Sequence, residues 1–191
     1  MILGIDHVAV TVTDIIKEGA ELERLGFTHK FTEEGIPNNL AKRPLLRKYN
    51  KTHDIAVFDG IQGPALEATV HGNEAKHMVD KGFIPVAEDY GVISGVVRMV
   101  NDLSGSIKFF TSVLGTTPTE IEGSLARFMV NGPLDNRRGS ILLFQAPNKN
   151  PPMLLDDHGF PCLALLTTHC NSEFEITVNK KKFGIEFKKG P

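Results

Sequence analysis

Leu3-Gly-Ile-Asp-His-Val-Ala-Val-Thr-Val12, then Thr13-Asp14, then Ile15-Ile-Lys-Glu-Gly-Ala-Glu-Leu-Glu-Arg-Leu-Gly26 reads as a strand, a cap and a helix. The first run is rich in Val, Ile and Thr, whose branched side chains suit a pleated strand. Asp14 can offer a carboxylate oxygen to the free N–H groups of a first helical turn. Ile15, Ile16, Ala20, Leu22 and Leu25 form an apolar stripe between Lys17, Glu18, Glu21, Glu23 and Arg24, and Gly26 stands where a left-handed C-terminal residue belongs. A second strand begins at Phe27 to Phe31.

The same order returns downstream. Val92 to Val100 is strand-like, Asn101-Asp102 offers a cap, Ile107, Phe109, Phe110, Val113 and Leu114 fill the apolar helix positions, and Gly115 ends the helix. Asp14 and Asp102 are 88 positions apart and Gly26 and Gly115 are 89 apart, so two strand-helix-turn units keep nearly the same register. Further strands are expected over His53 to Phe58 and Ala65 to His71 in the first copy, and over Leu125 to Val130 and Ser140 to Ala146 in the second. A shorter echo has a strand over Pro161 to Thr168, a cap at Asn171-Ser172, a helix toward Gly184 and a last strand over Ile185 to Phe187. The alternation of Phe174, Ile176 and Val178 with Glu175 and Thr177 admits a strand there instead. The expected fold is α+β. Tandem βαβββ modules at 1–72 and 92–147 form curved mixed sheets around a pocket, joined by a linker with a short helix at 73–91 and followed by a partial βαβ unit at 160–191.

A formal net charge of -2, with Lys and Arg dispersed among Asp and Glu, offers no basic surface to a phosphate backbone and argues against nucleic acid. The Lys-rich tail, Lys180 to Lys182 with Lys188 and Lys189, reads as a solvated end. No apolar run approaches the roughly 20 residues that span a bilayer. Met1 to His7 lacks the features of a secretory leader, so a cytoplasmic protein is expected. Cys162 and Cys170 have no metal-binding or redox spacing and are expected as reduced thiols. Residues 33–51, with Gly35, Pro37, Pro44, Lys42, Arg43, Arg47 and Lys48, read as a mobile loop over one end of the sheet, a lid or a solvated excursion.

Alternate residues of a strand share a face, so His7, Ala9 and Thr11 lie opposite Val8, Val10 and Val12. By the same rule Ala65, Glu67, Thr69 and His71 lie opposite Leu66, Ala68 and Val70. Such two-sidedness suits a sheet curving round a pocket, where His7 and Glu67 could bind a divalent metal through an imidazole nitrogen and a carboxylate oxygen. Thr11 and Thr69 share that face and, with Arg127 and Gln145, are candidates for contacting a substrate. His71 lies roughly 13 Å along an extended strand from Glu67, too far to share its ion. His29, His53, His77, His158 and His169 are expected in loops or at the surface.

The segment Gly4-Ile-Asp-His-Val-Ala-Val-Thr-Val-Thr-Asp14 resembles the first strand of a module of the vicinal oxygen chelate superfamily, which includes glyoxalases, extradiol dioxygenases and bleomycin-resistance proteins. Phe109-Phe110-x-x-Val113-Leu114-Gly115 resembles its aromatic-x-x-x-Leu-Gly helix end, and Ala65-Leu-Glu-Ala-Thr69 resembles its fourth strand. The resemblance covers residues 3–147 and implies that His7 is a metal ligand and that Glu67 is a metal ligand or a catalytic proton shuttle. The implied cofactor is a divalent ion, Zn, Fe, Mn or Ni, and the implied partner is a small molecule.

In this family each of two paired modules gives a first-strand and a fourth-strand ligand, and the second module here departs from that pattern. Alignment on Asp14 and Asp102 places Gly95 opposite His7, and alignment on His71 and Pro147 places Leu143 opposite Glu67, with Gln145 the nearest substitute. The terminal unit offers Cys162 or Leu165 at the His7 position, according to the alignment chosen. Arg98 and Arg127 in strands, and Arg137 and Arg138 in a loop, are candidates for an anionic substrate group. One functional reading is a glyoxalase-like enzyme of lyase, isomerase or dioxygenase type using a metal with a reduced ligand set. The alternatives are a metal-free small-molecule binding protein of the bleomycin-resistance type and a protein-binding module. The two complete modules are expected to pair within the chain. Otherwise a homodimer, relating two first modules by a two-fold axis, could supply the missing donors.

Overall fold

A computed structural model describes residues 1–72, 82–148, 153–168, 174–178 and 184–190. The opening run forms β1 (Ile2–Thr11), and Asp14 caps α1 (Ile15–Arg24) by accepting the Lys17 N–H at 3.0 Å. Next come β2 (Thr28–Pro37), a 3-10 segment (Leu40–Leu45), β3 (Thr52–Asp59) and β4 (Ala65–Val70). After β5 (Ile84–Asp89) the pattern repeats with β6 (Val92–Val100), Asp102 as cap, α2 (Leu103–Leu114), β7 (Glu120–Glu122), β8 (Leu125–Val130) and β9 (Gly139–Gln145). Gly26 and Gly115 follow the two helices with φ of 95° and 68°, the left-handed geometry expected of them. The terminal unit contributes β10 (Gly159–Thr167), β11 (Phe174–Val178) and β12 (Gly184–Lys189). Among the described residues no helix is long and apolar enough to cross a membrane.

The fold is α+β with two mixed sheets, ordered β11-β12-β10-β1-β4-β3-β2 and β5-β6-β9-β8-β7. This order overturns the expected partnership of the modules. The first module pairs with the terminal unit through antiparallel β1 and β10, while the second module keeps to a sheet of its own. β1 is therefore hydrogen-bonded on both edges, to β4 and to β10, and has no free edge for the β1 of a second chain.

Two expectations of local structure also change. Phe174–Val178 is a strand rather than a helix, because its alternating pattern lies antiparallel along β12 and covers that strand's outer edge. The supposed linker holds β5, an edge strand whose Pro85 does not interrupt its pairing with β6. The helix expected over Asn73 to Lys81, together with His77, His169, Cys170 and Lys180 to Lys182, lies outside the described residues.

Val8, Val10, Leu66, Ala68, Leu163 and Ile185, from one face of the larger sheet, join Val96, Phe110, Phe128, Ile141 and Leu143 of the second module in one continuous core. The second module thus serves as the apolar backing of the larger sheet. The opposite face of that sheet is left to curve around a cavity.

Candidate functional site

The cavity has a volume of about 330 Å³ and is walled by β1, β2, β3, β4 and β12, by the 3-10 segment, and by Arg137 from the second module. His7 and Glu67 both face it, as strand alternation predicts, with His7 Nε2 3.6 Å from Glu67 Oε2. Asp6, next to His7 in sequence, faces it too. The pairing of β1 with β10 shifts register between Ile5 and His7, and this irregularity lets two consecutive side chains reach the same space. Asp6 Oδ2 lies 2.9 Å from His7 Nδ1 and accepts from Lys188 Nζ at 3.1 Å. A carboxylate on one imidazole nitrogen fixes the tautomer and aims the other nitrogen at the site.

That other nitrogen, His7 Nε2, is buried and makes no hydrogen bond. Burial alone would pull the His7 pKa down, but the carboxylates of Glu67 and Asp6 outweigh it and push it up to about 9. Burial would raise Asp6, yet its contacts with His7 and Lys188 hold it well below the usual carboxylate range. Because the folded pKa of His7 lies above the ordinary 6.5, its ion pairs stabilise the fold fully below pH 6.5, and that stabilisation disappears as pH rises through about 9. In the presence of chelator, the urea midpoint should therefore fall across this window, and His7→Gln should flatten the fall. An unchanged slope in the variant would show that His7 is not the group responsible.

The strand registers place the three units on a common frame. In the first module His7 pairs with Ala65 and Ala9 with Glu67. In the terminal unit Cys162 pairs with Gly184 and Ala164 with Glu186. Across the junction His7 faces Ala164 and Ala9 faces Cys162, so a local two-fold carries His7 onto Cys162 and Glu67 onto Glu186. Cys162, not Leu165, is thus the counterpart of His7. In the second module the same frame pairs Gly95 with Ser140 and Val97 with Leu142, which makes Leu142 rather than Leu143 the counterpart of Glu67. Leu143 belongs to the core.

Glu186 is buried, lines the cavity, and lies 4.0 Å from Cys162 Sγ. Burial raises its pKa despite the opposing charges of Lys42 and His7. Among the described residues no three His, Cys, Asp or Glu side chains converge closely enough to enclose an ion. The residues that could hold a metal are the His7–Glu67 pair. An orphaned, carboxylate-oriented imidazole nitrogen facing a second carboxylate fits a divalent ion of nitrogen and oxygen preference.

The remaining candidates separate clearly. Thr69 donates to Glu67 Oε1 at 3.4 Å, whereas Thr11 donates to the Leu155 carbonyl at 2.6 Å below the cavity floor. Gln145 caps α2, accepting from the Leu103 N–H at 2.9 Å and donating to the Asn101 carbonyl at 3.1 Å, so it cannot replace a ligand. Arg127 pairs with Glu120 at 3.2 Å on the outer sheet. Arg98 is buried over the Phe83 ring, 4.3 Å from its centroid, and burial lowers its pKa to about 10. Arg137, in a short 3-10 segment (Asp135–Arg137) rather than an irregular loop, is the arginine that lines the cavity, donating to the Asp6 carbonyl at 2.9 Å and pairing with Asp59 at 3.3 Å. His53 also proves to be a buried cavity residue, stacked on His71 with centroids 5.6 Å apart. Burial, then its neighbour His53, lowers His71 to about 3.

The segment expected as a mobile loop continues β2 to Pro37 and then folds onto the sheet. Leu45 and Leu46 pack with Ala9, Leu155 and Cys162, and the Leu155 N–H donates to the Leu45 carbonyl at 2.8 Å. Asp156, with no solvent exposure, accepts the N–H groups of Arg47 at 2.9 Å and Lys48 at 3.3 Å. Asp157 binds the Arg47 guanidinium at 2.8 Å. The segment closes one end of the cup as a fixed wall, carrying Lys42 to the cavity.

No family model and no curated protein sequence matches the chain. Among solved structures it is similar to a candidate dioxygenase from Bacillus subtilis, at 12% identity and a TM-score of 0.41, covering 100% of this chain and 64% of that one. It is also similar to glyoxalase I from Zea mays, at 14% identity and a TM-score of 0.38, covering 97% of this chain and 67% of that one. The chain thus spans less than two thirds of the length of the first of these. The strand order 1-4-3-2 within a module and the antiparallel junction of two first strands give an α+β fold of tandem βαβββ type, with His7 and Glu67 on one face.

Proposed function

We propose that the chain is a glyoxalase-like small-molecule enzyme, of lyase, isomerase or dioxygenase type, whose divalent metal is held by a reduced ligand set of His7 and Glu67. The observation that supports this most is the buried Nε2 of His7, which makes no hydrogen bond, stands 3.6 Å from Glu67 Oε2 and belongs to a ring oriented by Asp6. A divalent ion bound there supplies Lewis acidity to a carbonyl or enolate oxygen. Asp6 holds the imidazole in one orientation. Glu67, whose Oε1 accepts from Thr69, is read as ligand or proton shuttle, and the segment over residues 40–45 brings Lys42 to the cavity lining.

Metal content, measured by mass spectrometry on protein grown with Zn, Fe, Mn and Ni in turn, tests this reading. Near-stoichiometric metal is expected in the wild type, falling roughly tenfold or more in His7→Ala and Glu67→Ala as a ligand is lost. Wild-type protein free of metal in all four media, or full metal in His7→Ala, would sink it. The second reading is a metal-free binding protein of the bleomycin-resistance type. It is favoured by the charge on His7, which must be given up before a metal can bind, and by the lack of donors at Gly95 and Leu142.

A further inference from the structure

Four cationic side chains line the cavity: Lys30, Lys42, Arg137 and Lys188. Three are engaged. Lys30 and Arg137 both pair with Asp59, at 2.8 and 3.3 Å, and Lys188 pairs with Asp6 at 3.1 Å. Lys42 is half-buried and has no ion pair among the described residues, although it borders both the main cavity and the small recess beneath it. Its charge pulls down His53 and His71 and opposes the upward shifts of Cys162 and Glu186. Lys42 lines the cavity alongside Glu67 and Glu186, and the same two carboxylates border the recess with it.

Lys42 is also held in place. Asn39 accepts the Ala41 N–H at 2.9 Å, and the Leu45 carbonyl and the N–H groups of Arg47 and Lys48 are bound to the segment around Asp156. A cation on a docked backbone, with no direct ion pair among the described residues, can receive an anion with little reorganisation. The wall of the cavity formed by β2 and β3 carries the apolar side chains Phe31, Ile36, Ile55 and Val57 among the polar Lys30, Glu33, His53 and Asp59. A cavity of 330 Å³ lies at the small end of the range for small-molecule sites, roughly 300–1,000 Å³.

We infer that Lys42 anchors the carboxylate of a small organic acid whose apolar body lies along Phe31, Ile36, Ile55 and Val57, in the cavity that holds His7 and Glu67. The inference rests on reading this cavity as the small-molecule site but is independent of the metal. It assigns the ligand a class, an acid with an aromatic or branched aliphatic body, and assigns Lys42 the selection of charge.

The test compares benzoate with benzyl alcohol, which share a ring and differ in charge, by isothermal titration against wild type, Lys42→Met, Lys42→Arg and the outward-facing control Lys48→Met. Wild type and control should bind benzoate about tenfold or more tightly than benzyl alcohol, the scale of one charge-assisted hydrogen bond. Lys42→Met should bind both alike, and Lys42→Arg should keep most of the difference. Equal binding of the two probes by wild type, no binding of either up to its solubility limit, or a preference surviving in Lys42→Met overturns the inference. Thermal unfolding and metal content are measured on each variant. Absent metal with benzoate preference intact removes the metal reading alone, whereas bound metal without that preference removes the role of Lys42 alone.

Discussion

Gly63→Ala should destabilise the protein by about 4 kcal/mol or more, placing it among the most damaging substitutions a single methyl group can make. Gly63 has φ of +95° in the connection between β3 and β4, and a Cβ there would stand 1.8 Å from the Ile93 carbonyl oxygen. That carbonyl belongs to β6. Beside it Gln62 bridges Val92, and the Ile93 N–H donates to the Gln62 carbonyl at 3.0 Å. The added atom would meet backbone rather than a flexible side chain, so relief requires separating the two sheets at this joint. A chain of this size loses roughly 2–4 °C of Tm per kcal/mol, which puts the expected fall at about 10 °C, or leaves no folded protein. Gly35→Ala supplies the control. Gly35 also has positive φ, +69°, but nothing lies within 4 Å of the added atom, and only the local penalty of about 1 kcal/mol should appear. Equal costs at the two positions would show that the sheet joint is not what Gly63 protects.

Much of the architecture was legible because its signals are local. Asp14 and Asp102 as caps, Gly26 and Gly115 as helix ends, and the shared face of His7 and Glu67 each follow from a few neighbouring residues. What the pattern could not supply was the partner of each sheet edge. Alternation says which side chains face together along one strand but not which strand lies beside it. The closer similarity of the second complete copy made it the natural partner, whereas β10 of the short terminal unit holds that place. Glu186 was missed for the same reason. A helix over Phe174–Val178 leaves Ile185-Glu186-Phe187 as a lone strand with no module position. As a third strand, Phe174–Val178 makes β12 a fourth strand carrying Glu186 where β4 carries Glu67. Asp6 was hidden by a register shift, and Arg137, Lys188 and His53 by tertiary contacts that no periodicity encodes. Lys188 had the look of a solvated tail residue because its partner, Asp6, lies at the other end of the sequence.

Asp156→Ala is the second substitution expected to cost heavily, about 2–4 kcal/mol, and it bears directly on the pocket. The Asp156 carboxylate has no exposure and holds two consecutive N–H groups, those of Arg47 and Lys48, immediately after the segment that carries Lys42. Removing it leaves those donors without a partner, at about 1–3 kcal/mol for each one that water cannot reach. The apolar contacts of Leu45, Leu46 and Leu155 remain, so the wall should loosen rather than unfold with the sheet. Local loosening separates this variant from Gly63→Ala in kind. Hydrogen exchange should accelerate across residues 38–50 in Asp156→Ala while the strands bearing His7 and Glu67 keep their protection. Asn at 156 retains one accepting oxygen and should lie between wild type and Ala. If the wall is what positions Lys42, Asp156→Ala should also weaken the preference for benzoate over benzyl alcohol and leave metal content unchanged, because His7 and Glu67 stand on β1 and β4. Undiminished preference in a demonstrably loosened wall would mean that Lys42 finds the anion without being held, and that the docking of residues 40–45 serves stability alone.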